Sequence, residues 1–112
     1  MLSLLLQMVK MKRGEVYWVN LDPTVGNEVK KRRPAVILSP DEMNRSLPVV
    51  IVAPITTSKK PWPTRAGIKL SGKAGQIMLD QIRTVDKSRL MKRIAEVDVA
   101  EALDALQIMF AP

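Results

Sequence analysis

Two residues whose types suit phosphate chemistry are predicted to meet at the ends of neighbouring strands. Arg33 precedes Pro34 and the apolar residues 35–38, so it lies one residue before a buried strand. Thr56 ends another apolar run, and antiparallel pairing brings the start of one strand to within about 5 Å of the end of the next. A fixed guanidinium and a hydroxyl together can bind three phosphate oxygens. The alternative is a surface ion pair for Arg33 and a local turn hydrogen bond for Thr56.

Three further cations, Lys30, Lys31 and Arg32, precede Arg33 at the end of a long loop. Long loops in compact domains are usually functional or disordered. Catalysis needs a fixed guanidinium, whereas charges that only attract a polyanion tolerate mobility. The sequence therefore predicts chemistry for Arg33 and attraction of a polyanion for the three cations, which we expect in a mobile loop.

Asp80 and Arg83 are predicted to lie in one strand, where a spacing of three residues puts them on opposite faces. An acid among apolar neighbours is costly to bury unless it is paired. Asp80 is therefore either one half of a structural ion pair or an acceptor that orients Arg33 or a nucleic-acid base.

Trp62 lies between two prolines in a loop that also carries Lys59, Lys60 and Arg65. An aromatic ring among cations suits an unpaired base, so Trp62 is a candidate stacking platform. The alternative is a contact with a partner protein or a second subunit. Tyr17 and Trp18, in contrast, are predicted to be core residues.

The composition restricts both the partners and the chemistry. Among 112 residues, 18 Lys and Arg against 11 Asp and Glu give a net charge of +7, which favours nucleic acid as a partner over a merely well-solvated surface. There is no Cys and no His, so disulfides, thiolate nucleophiles and imidazole acid–base pairs are excluded, and an all-carboxylate zinc site would be unusual. No metal site or other cofactor is predicted.

The pattern of β-formers and turns predicts a mainly β, α+β protein, a small antiparallel barrel or curved sheet with a C-terminal helix. An open α+β sheet is the alternative. Asp98 and Glu101 are placed as N-cap and N3 of the helix, residues 98–110, and Pro54 marks an edge or a bulge. The predicted strands are residues 15–21, 34–39, 48–55, 67–70, 76–85 and 94–97.

The domain organisation is predicted to be simple. Residues 12–112 form one domain, preceded by a loosely ordered extension, residues 1–11. The apolar run at residues 4–6 is too short for a membrane span and lacks the flanks of a signal peptide. We expect a cytoplasmic protein without membrane contact.

Six segments, in order along the chain, together resemble the MazF/PemK family of toxin endoribonucleases. They are residues 13–19 (RGEVYWV), 21–28 (LDPTVGNE), 33–38 (RPAVIL), 44–45 (NR), 52–56 (VAPIT) and 80–90 (DQIRTVDKSRL). The resemblance implies an SH3-like barrel of five to seven strands in a homodimeric toxin that cuts single-stranded mRNA without a metal. It also implies a 2′,3′-cyclic phosphate and a 5′-hydroxyl as products, and an antitoxin partner; the net charge of +7 favours an acidic, MazE-like one.

By motif position, the resemblance implies that Arg33 and Thr56 are catalytic. Arg33 would stabilise charge on the phosphorane and Thr56 would hold a phosphate oxygen. The residues predicted to bind RNA, by resemblance or by charge and type, are Asn27, Glu28, Lys30, Lys31, Arg32, Trp62, Asp80 and Arg83.

The chain departs from the family pattern in the loop before Arg33. Val29 replaces a glutamine and Lys31 replaces a glycine, so this loop is more basic than is usual. Two other functions remain open: a gyrase-poisoning toxin of the CcdB type, whose Trp-Gly-Ile end this chain lacks, and a non-catalytic RNA-binding barrel.

Overall fold

The computed structural model describes residues 11–21 and 32–112, which form seven strands and two α-helices. The strands are β1 (Glu15–Asn20), β2 (Arg32–Ile37), β3 (Val49–Thr56), β4 (Arg65–Leu70), β5 (Lys73–Met78), β6 (Arg83–Asp86) and β7 (Leu90–Glu96). The helices are α1 (Asp41–Ser46) and α2 (Ala100–Met109), and short 3₁₀ turns cover Leu79–Gln81 and Lys87–Arg89.

All strand pairs are antiparallel, in the order β4-β5-β3-β2-β1-β7, and β6 also pairs with β3. Strand β3 changes partner along its length, because residues 49–52 pair with β6 and residues 55–56 pair with β5. The sheet thereby curls into a half-barrel with the C-terminal helix α2 against it. The predicted fold class, mainly β with a C-terminal helix, is confirmed.

Two prolines mark places where the ladder changes. Pro34 was predicted to open its strand, but β2 begins two residues earlier, and Pro34 lies opposite Trp18 of β1. Since β3 pairs with β2 only from Ala35 onward, the missing N–H of Pro34 costs no ladder bond on that side. Pro54 lies between the two partners of β3, so the predicted interruption there is a change of partner rather than an edge or a bulge.

The sheet is apolar on both faces. One cluster, which packs against α2, consists of Val16, Val36, Leu38, Ala53, Ile55, Ala66, Ile77, Leu79, Val99 and Ala102. The other consists of Met11, Val19, Leu21, Ala35, Ile37, Val50, Val52, Val85 and Leu90. Met11 is thus a core residue and not part of a loose extension; residues 1–10 lie outside the described part of the chain. Across residues 11–21 and 32–112, no helix has the length and apolarity needed to span a membrane.

The predicted strand at residues 76–85 is wrong, because β5 ends at Met78 and β6 begins at Arg83. The 3₁₀ turn between them carries the chain from one partner position on β3 to the other. Its first residue, Leu79, is fully buried, so the apolar pattern continues through the turn and conceals it. Helix α2 also starts later than predicted, with Val99 as N-cap, while the Asp98 carboxylate accepts a hydrogen bond from the Ala100 N–H at 2.9 Å.

A buried polar network connects α1 to the sheet. The Ser39 hydroxyl donates to Asn44 Oδ1 at 2.5 Å, Asn44 Nδ2 donates to the Ser39 carbonyl at 3.0 Å, and the Ile51 N–H donates to Ser39 Oγ. The Lys87 ammonium donates to the Asn44 carbonyl, and burial lowers the pKa of Lys87. Every polar group of this network therefore has a partner within the fold.

Candidate active site

The structure brings Arg33 and Thr56 into one cleft at the end of the sheet, with a volume of about 430 Å³. Ala35 of β2 and Pro54 of β3 form the last pair between these two strands, and Arg33 and Thr56 each lie two residues beyond it. Arg33 is also paired with Val19 of β1, so its backbone lies inside the sheet rather than before it. The guanidinium and the hydroxyl thus come from two rigid strands.

The cleft is cationic on one part of its wall and apolar on another. Among the residues that the structure describes, three cations line it, Arg32, Arg33 and Lys73, together with the hydroxyls of Thr56 and Thr57, and none of these described lining residues is acidic. The apolar wall is formed by Trp18, Pro34, Ile55 and Leu70. Such a lining suits a phosphate with an attached base.

Trp18 and Lys73 are among the lining residues that were not predicted to belong to the site. Trp18, expected in the core, is 38 % exposed and lies on the cleft wall beyond the point where β2 and β3 cease to pair. Lys73 follows a two-residue hairpin turn in which Ser71 and Gly72 both have positive φ, at 52° and 78°. This turn has two residues, whereas the predicted strands 67–70 and 76–85 left five residues between them, so β5 starts at Lys73.

The guanidinium of Arg33 has no ion-pair partner among the described residues. The ion pairs between residues of 11–21 and 32–112 involve Arg65 and Arg93. Arg32, predicted to lie in a mobile loop, is instead the first residue of β2, exposed and opposite Asn20. Backbone pairing with β1 thus fixes both arginines at the mouth of the cleft.

The hydroxyl of Thr56 is oriented by its own turn. Its Oγ1 accepts a hydrogen bond from the Ser58 N–H at 3.1 Å, which leaves the hydroxyl proton able to donate to a ligand. Gly75 of β5 lies directly beneath, since a Cβ at that position would be 2.7 Å from the Thr56 carbonyl oxygen. The local turn bond predicted as an alternative role for Thr56 is present, and it positions the hydroxyl.

Asp80 lies in the 3₁₀ turn rather than in a central strand. Its carboxylate accepts from Arg65 Nε at 2.8 Å and from Arg65 Nη2 at 3.3 Å, and it also accepts from the Thr64 hydroxyl at 3.1 Å. Burial opposes ionisation, but the hydrogen bonds from Arg65, the backbone of Asp80 and Thr64 outweigh it and hold the pKa of Asp80 below its usual range. Asp80 is therefore half of a structural ion pair, and Arg65, not Arg33, is the arginine it orients.

The remaining predicted RNA-binding residues fall in different places. Arg83 Nη1 donates to the Leu21 carbonyl at 3.1 Å, a bond that connects β6 to the end of β1. Trp62 is 47 % exposed, with the Arg65 guanidinium 4.6 Å from its ring centroid. Four predicted residues lie outside the described part of the chain: Asn27, Glu28, Lys30 and Lys31. Within the described ranges, no group of three or more carboxylates is placed to hold a metal ion.

The chain is similar in sequence to two curated endoribonucleases. It is 40 % identical over 109 residues to endoribonuclease EndoA of Bacillus subtilis, covering 89 % of this chain and 94 % of that protein. It is 42 % identical over 90 residues to endoribonuclease MazF of Staphylococcus saprophyticus, covering 75 % of each.

Solved structures of endoribonucleases and MazF toxins are also similar to the chain. MazF from Deinococcus radiodurans superposes with a TM-score of 0.76 at 29 % identity, covering 88 % of this chain and 94 % of that one. A mycobacterial endoribonuclease in complex with its cognate antitoxin superposes with a TM-score of 0.74 at 26 % identity, covering 90 % and 96 %. The family model that describes PemK-like, MazF-like toxins of type II toxin–antitoxin systems matches residues 12–110. The resemblance drawn from the sequence motifs is confirmed, and the chain belongs to the MazF/PemK family of toxins.

Proposed function

We propose a specific chemistry for this MazF-like endoribonuclease toxin: it cuts single-stranded mRNA at a short sequence, with the substrate's 2′-OH as nucleophile. The observation that supports this most strongly is that Arg33 and Thr56 line the same cationic cleft, where Arg33 has no acidic partner among the described residues. A guanidinium fixed at its backbone and not neutralised is suited to a phosphodiester.

In the proposed reaction the 2′-hydroxyl loses its proton to water and its oxygen attacks the phosphorus to form the cyclic phosphate. The bond from phosphorus to the 5′-oxygen breaks, and that oxygen takes a proton from water and leaves as the 5′-hydroxyl. Arg33 stabilises the negative charge that develops on the non-bridging oxygens, and the Thr56 hydroxyl donates a hydrogen bond to one of them. Because the nucleophile belongs to the substrate, the protein needs only to position and neutralise the phosphate, and a chain without His or Cys can do this.

The lining of the cleft favours an unpaired strand. Trp18 and Leu70 form an apolar wall beside the cations, and base stacking on an aromatic ring requires a base that is not already in a duplex. Lys73 and Arg32 then attract the phosphates on either side without taking part in the chemical step.

The partners are proposed on the same basis. A MazE-like antitoxin with an acidic, partly disordered segment would cover the cationic cleft and exclude RNA; relatives from D. radiodurans were crystallised as MazE–MazF complexes. We further propose a homodimer acting in the cytoplasm, as the family resemblance implies.

The test uses a long mRNA in EDTA, followed by synthetic RNAs that span a mapped cut. We expect cleavage to persist in EDTA, to leave a 2′,3′-cyclic phosphate, and to stop when one 2′-deoxynucleotide replaces the residue 5′ of the cut. A 2′-deoxynucleotide two positions away serves as the control and should be cut normally. Cleavage of the RNA with the deoxynucleotide at the cut would contradict the proposal, and inhibition of gyrase without RNA cleavage would favour the CcdB-type alternative.

A further inference from the structure

We propose that Asp80 and Arg65 are positioning residues that hold Trp62 as a stacking platform for a base flanking the cut, an inference that rests on the proposed RNA substrate. On this account, Asp80 acts on RNA through two other side chains and does not contact RNA itself. The role of Trp62 was predicted from its residue type and neighbours alone, whereas the two residues that support it are visible only in the structure.

The support for the ring begins at Asp80. Arg65 binds both carboxylate oxygens, and its side chain is only 8 % exposed, so its guanidinium is held in one orientation. Thr64 donates to the same carboxylate, and the Leu79 N–H donates to the Thr64 carbonyl at 3.0 Å. The end of the loop is thus tied to the 3₁₀ turn by side-chain and backbone bonds.

The ring of Trp62 lies on this fixed guanidinium. Arg65 Cζ is 4.6 Å from the ring centroid, and the Arg65 N–H donates to the Trp62 carbonyl at 3.1 Å. Lys60 Nζ is further away, at 5.7 Å, on an exposed residue that can move aside. Nearly half of Trp62 remains exposed, so an aromatic surface is held in place and still open to a ligand.

The platform lies on the same loop that leaves the catalytic cleft. Residue 57 lines that cleft, and three residues later the Lys60 N–H donates to Gln76 Oε1 at 2.9 Å while Gln76 Nε2 donates to the Lys60 carbonyl at 3.0 Å. A second groove, lined by Lys59, Lys69 and Gln76, shares Ala74 and Gly75 with the cleft. Lys59 and Lys60 thus lie on this loop between the cleft and Trp62, and a strand whose phosphate lies between Arg33 and Thr56 can follow them toward the ring.

Arg65 and Asp80 act on RNA indirectly because the charge of Arg65 is already paired within the fold. Its guanidinium is already bound by Asp80 and covered by the indole ring, so it is not available as a phosphate ligand. Removing the Asp80 charge should release Arg65, and the ring would then lose its fixed orientation.

The first test measures RNA binding at Trp62. Trp18→Phe leaves Trp62 as the only tryptophan, and the probe is a single-stranded oligonucleotide made uncleavable by 2′-deoxynucleotides. We expect the oligonucleotide to quench Trp62 fluorescence, Trp62→Ala in the otherwise native chain to weaken its binding about tenfold, and Trp62→Tyr to restore binding to within about threefold.

The second test separates positioning from structure. Asp80→Asn should raise KM for RNA cleavage about tenfold, leave the rate at saturating RNA within about twofold, and abolish the quenching of Trp62. Glu96→Gln removes an exposed ion pair elsewhere, to Arg93, and should change none of these. If Asp80→Asn does not fold, the comparison of Trp62→Ala with Trp62→Tyr still tests whether Trp62 is an aromatic stacking platform for RNA.

Unchanged binding and KM in Trp62→Ala would overturn the proposal. The proposal would also be overturned if Trp62→Ala changed the sedimentation of the protein and left RNA binding intact, since Trp62 would then contact a protein and not RNA. A wild-type protein that does not cleave would contradict only the proposed chemistry: quenching by the oligonucleotide would still support the platform, and absence of quenching would overturn it.

Discussion

Two arginines, each on a strand of the sheet, are used in opposite ways. Arg65 is almost fully buried, is bound through two nitrogens by Asp80 and is stacked under Trp62. Arg33 lines an open cleft and has no carboxylate partner among residues 11–21 and 32–112. A guanidinium whose charge is satisfied within the fold stabilises structure, whereas one that is anchored by its backbone but left unneutralised can serve a ligand.

Binding a phosphate would lower the electrostatic energy of the cleft around Arg33, but not that of the region around Arg65. Three cations line the cleft, with no acid among the lining residues that the structure describes, so they repel one another and a phosphodiester between them would relieve this repulsion. In the proposed reaction, the developing charge of a phosphorane would relieve it further, so the arrangement would favour the transition state over the bound substrate.

Apart from Arg33, the largest effect that should distinguish cleft from scaffold is expected at Thr56. Thr56→Val keeps the shape and removes the hydroxyl, so we expect the cleavage rate at saturating RNA to fall about a hundredfold. Thr57→Val is the matched control, since Thr57 also lines the cleft and is adjacent; its loss should stay under about fivefold. Equal losses in single-turnover assays would show that Thr56 has no special position.

A smaller loss is expected when the backbone under Thr56 is displaced. Gly75→Ala places a methyl group against the Thr56 carbonyl, so β5 must shift and the rate should fall at least about tenfold. Gly67→Ala on the neighbouring strand meets no atom within 4 Å and should leave the rate unchanged. If both variants cut RNA at the wild-type rate, the placement of Thr56 does not depend on this close approach.

The polar network under α1 should respond in stability and not in catalysis. Asn44→Ala removes the side-chain partners of the buried Ser39 hydroxyl proton and of the Ser39 carbonyl, and we expect the free energy of unfolding to fall by about 2–4 kcal/mol in urea titrations. Gln107→Ala, an exposed amide on α2, should stay within about 0.5 kcal/mol. A slower chemical step in folded Asn44→Ala would mean that the network also shapes the cleft.

The smallest effect is expected at Lys73. Lys73→Gln should raise KM about threefold and lower the dependence of log KM on log salt by about 0.7, because one phosphate contact is lost. The rate at saturating RNA should not change. Lys12→Gln, an exposed lysine outside the cleft lining, should show neither effect, and a matching salt response there would indicate a diffuse field instead of a contact.

The sequence was sufficient to predict which residues lie close together where local rules of strand pairing decide the geometry. Antiparallel pairing of the strand after Arg33 with the strand before Thr56 brings those residues together, and this could be predicted. The pairing of Asp80 with Arg65 could not, because it depends on a 3₁₀ turn that the continuous apolar pattern around Leu79 conceals. Trp18 was misplaced because its exposure depends on where two strands cease to pair, which residue types do not indicate.

The most direct test compares Arg33→Ala with Arg65→Ala, measuring for each the cleavage rate at saturating RNA and the free energy of unfolding. Arg33→Ala should slow cleavage at least about a thousandfold and change stability by less than about 0.5 kcal/mol. Arg65→Ala should lose about 1–3 kcal/mol of stability and keep the rate to within about threefold. Equal slowing in the two variants, or a loss in Arg33→Ala that only follows the amount of folded protein, would contradict the assignment of chemistry to Arg33.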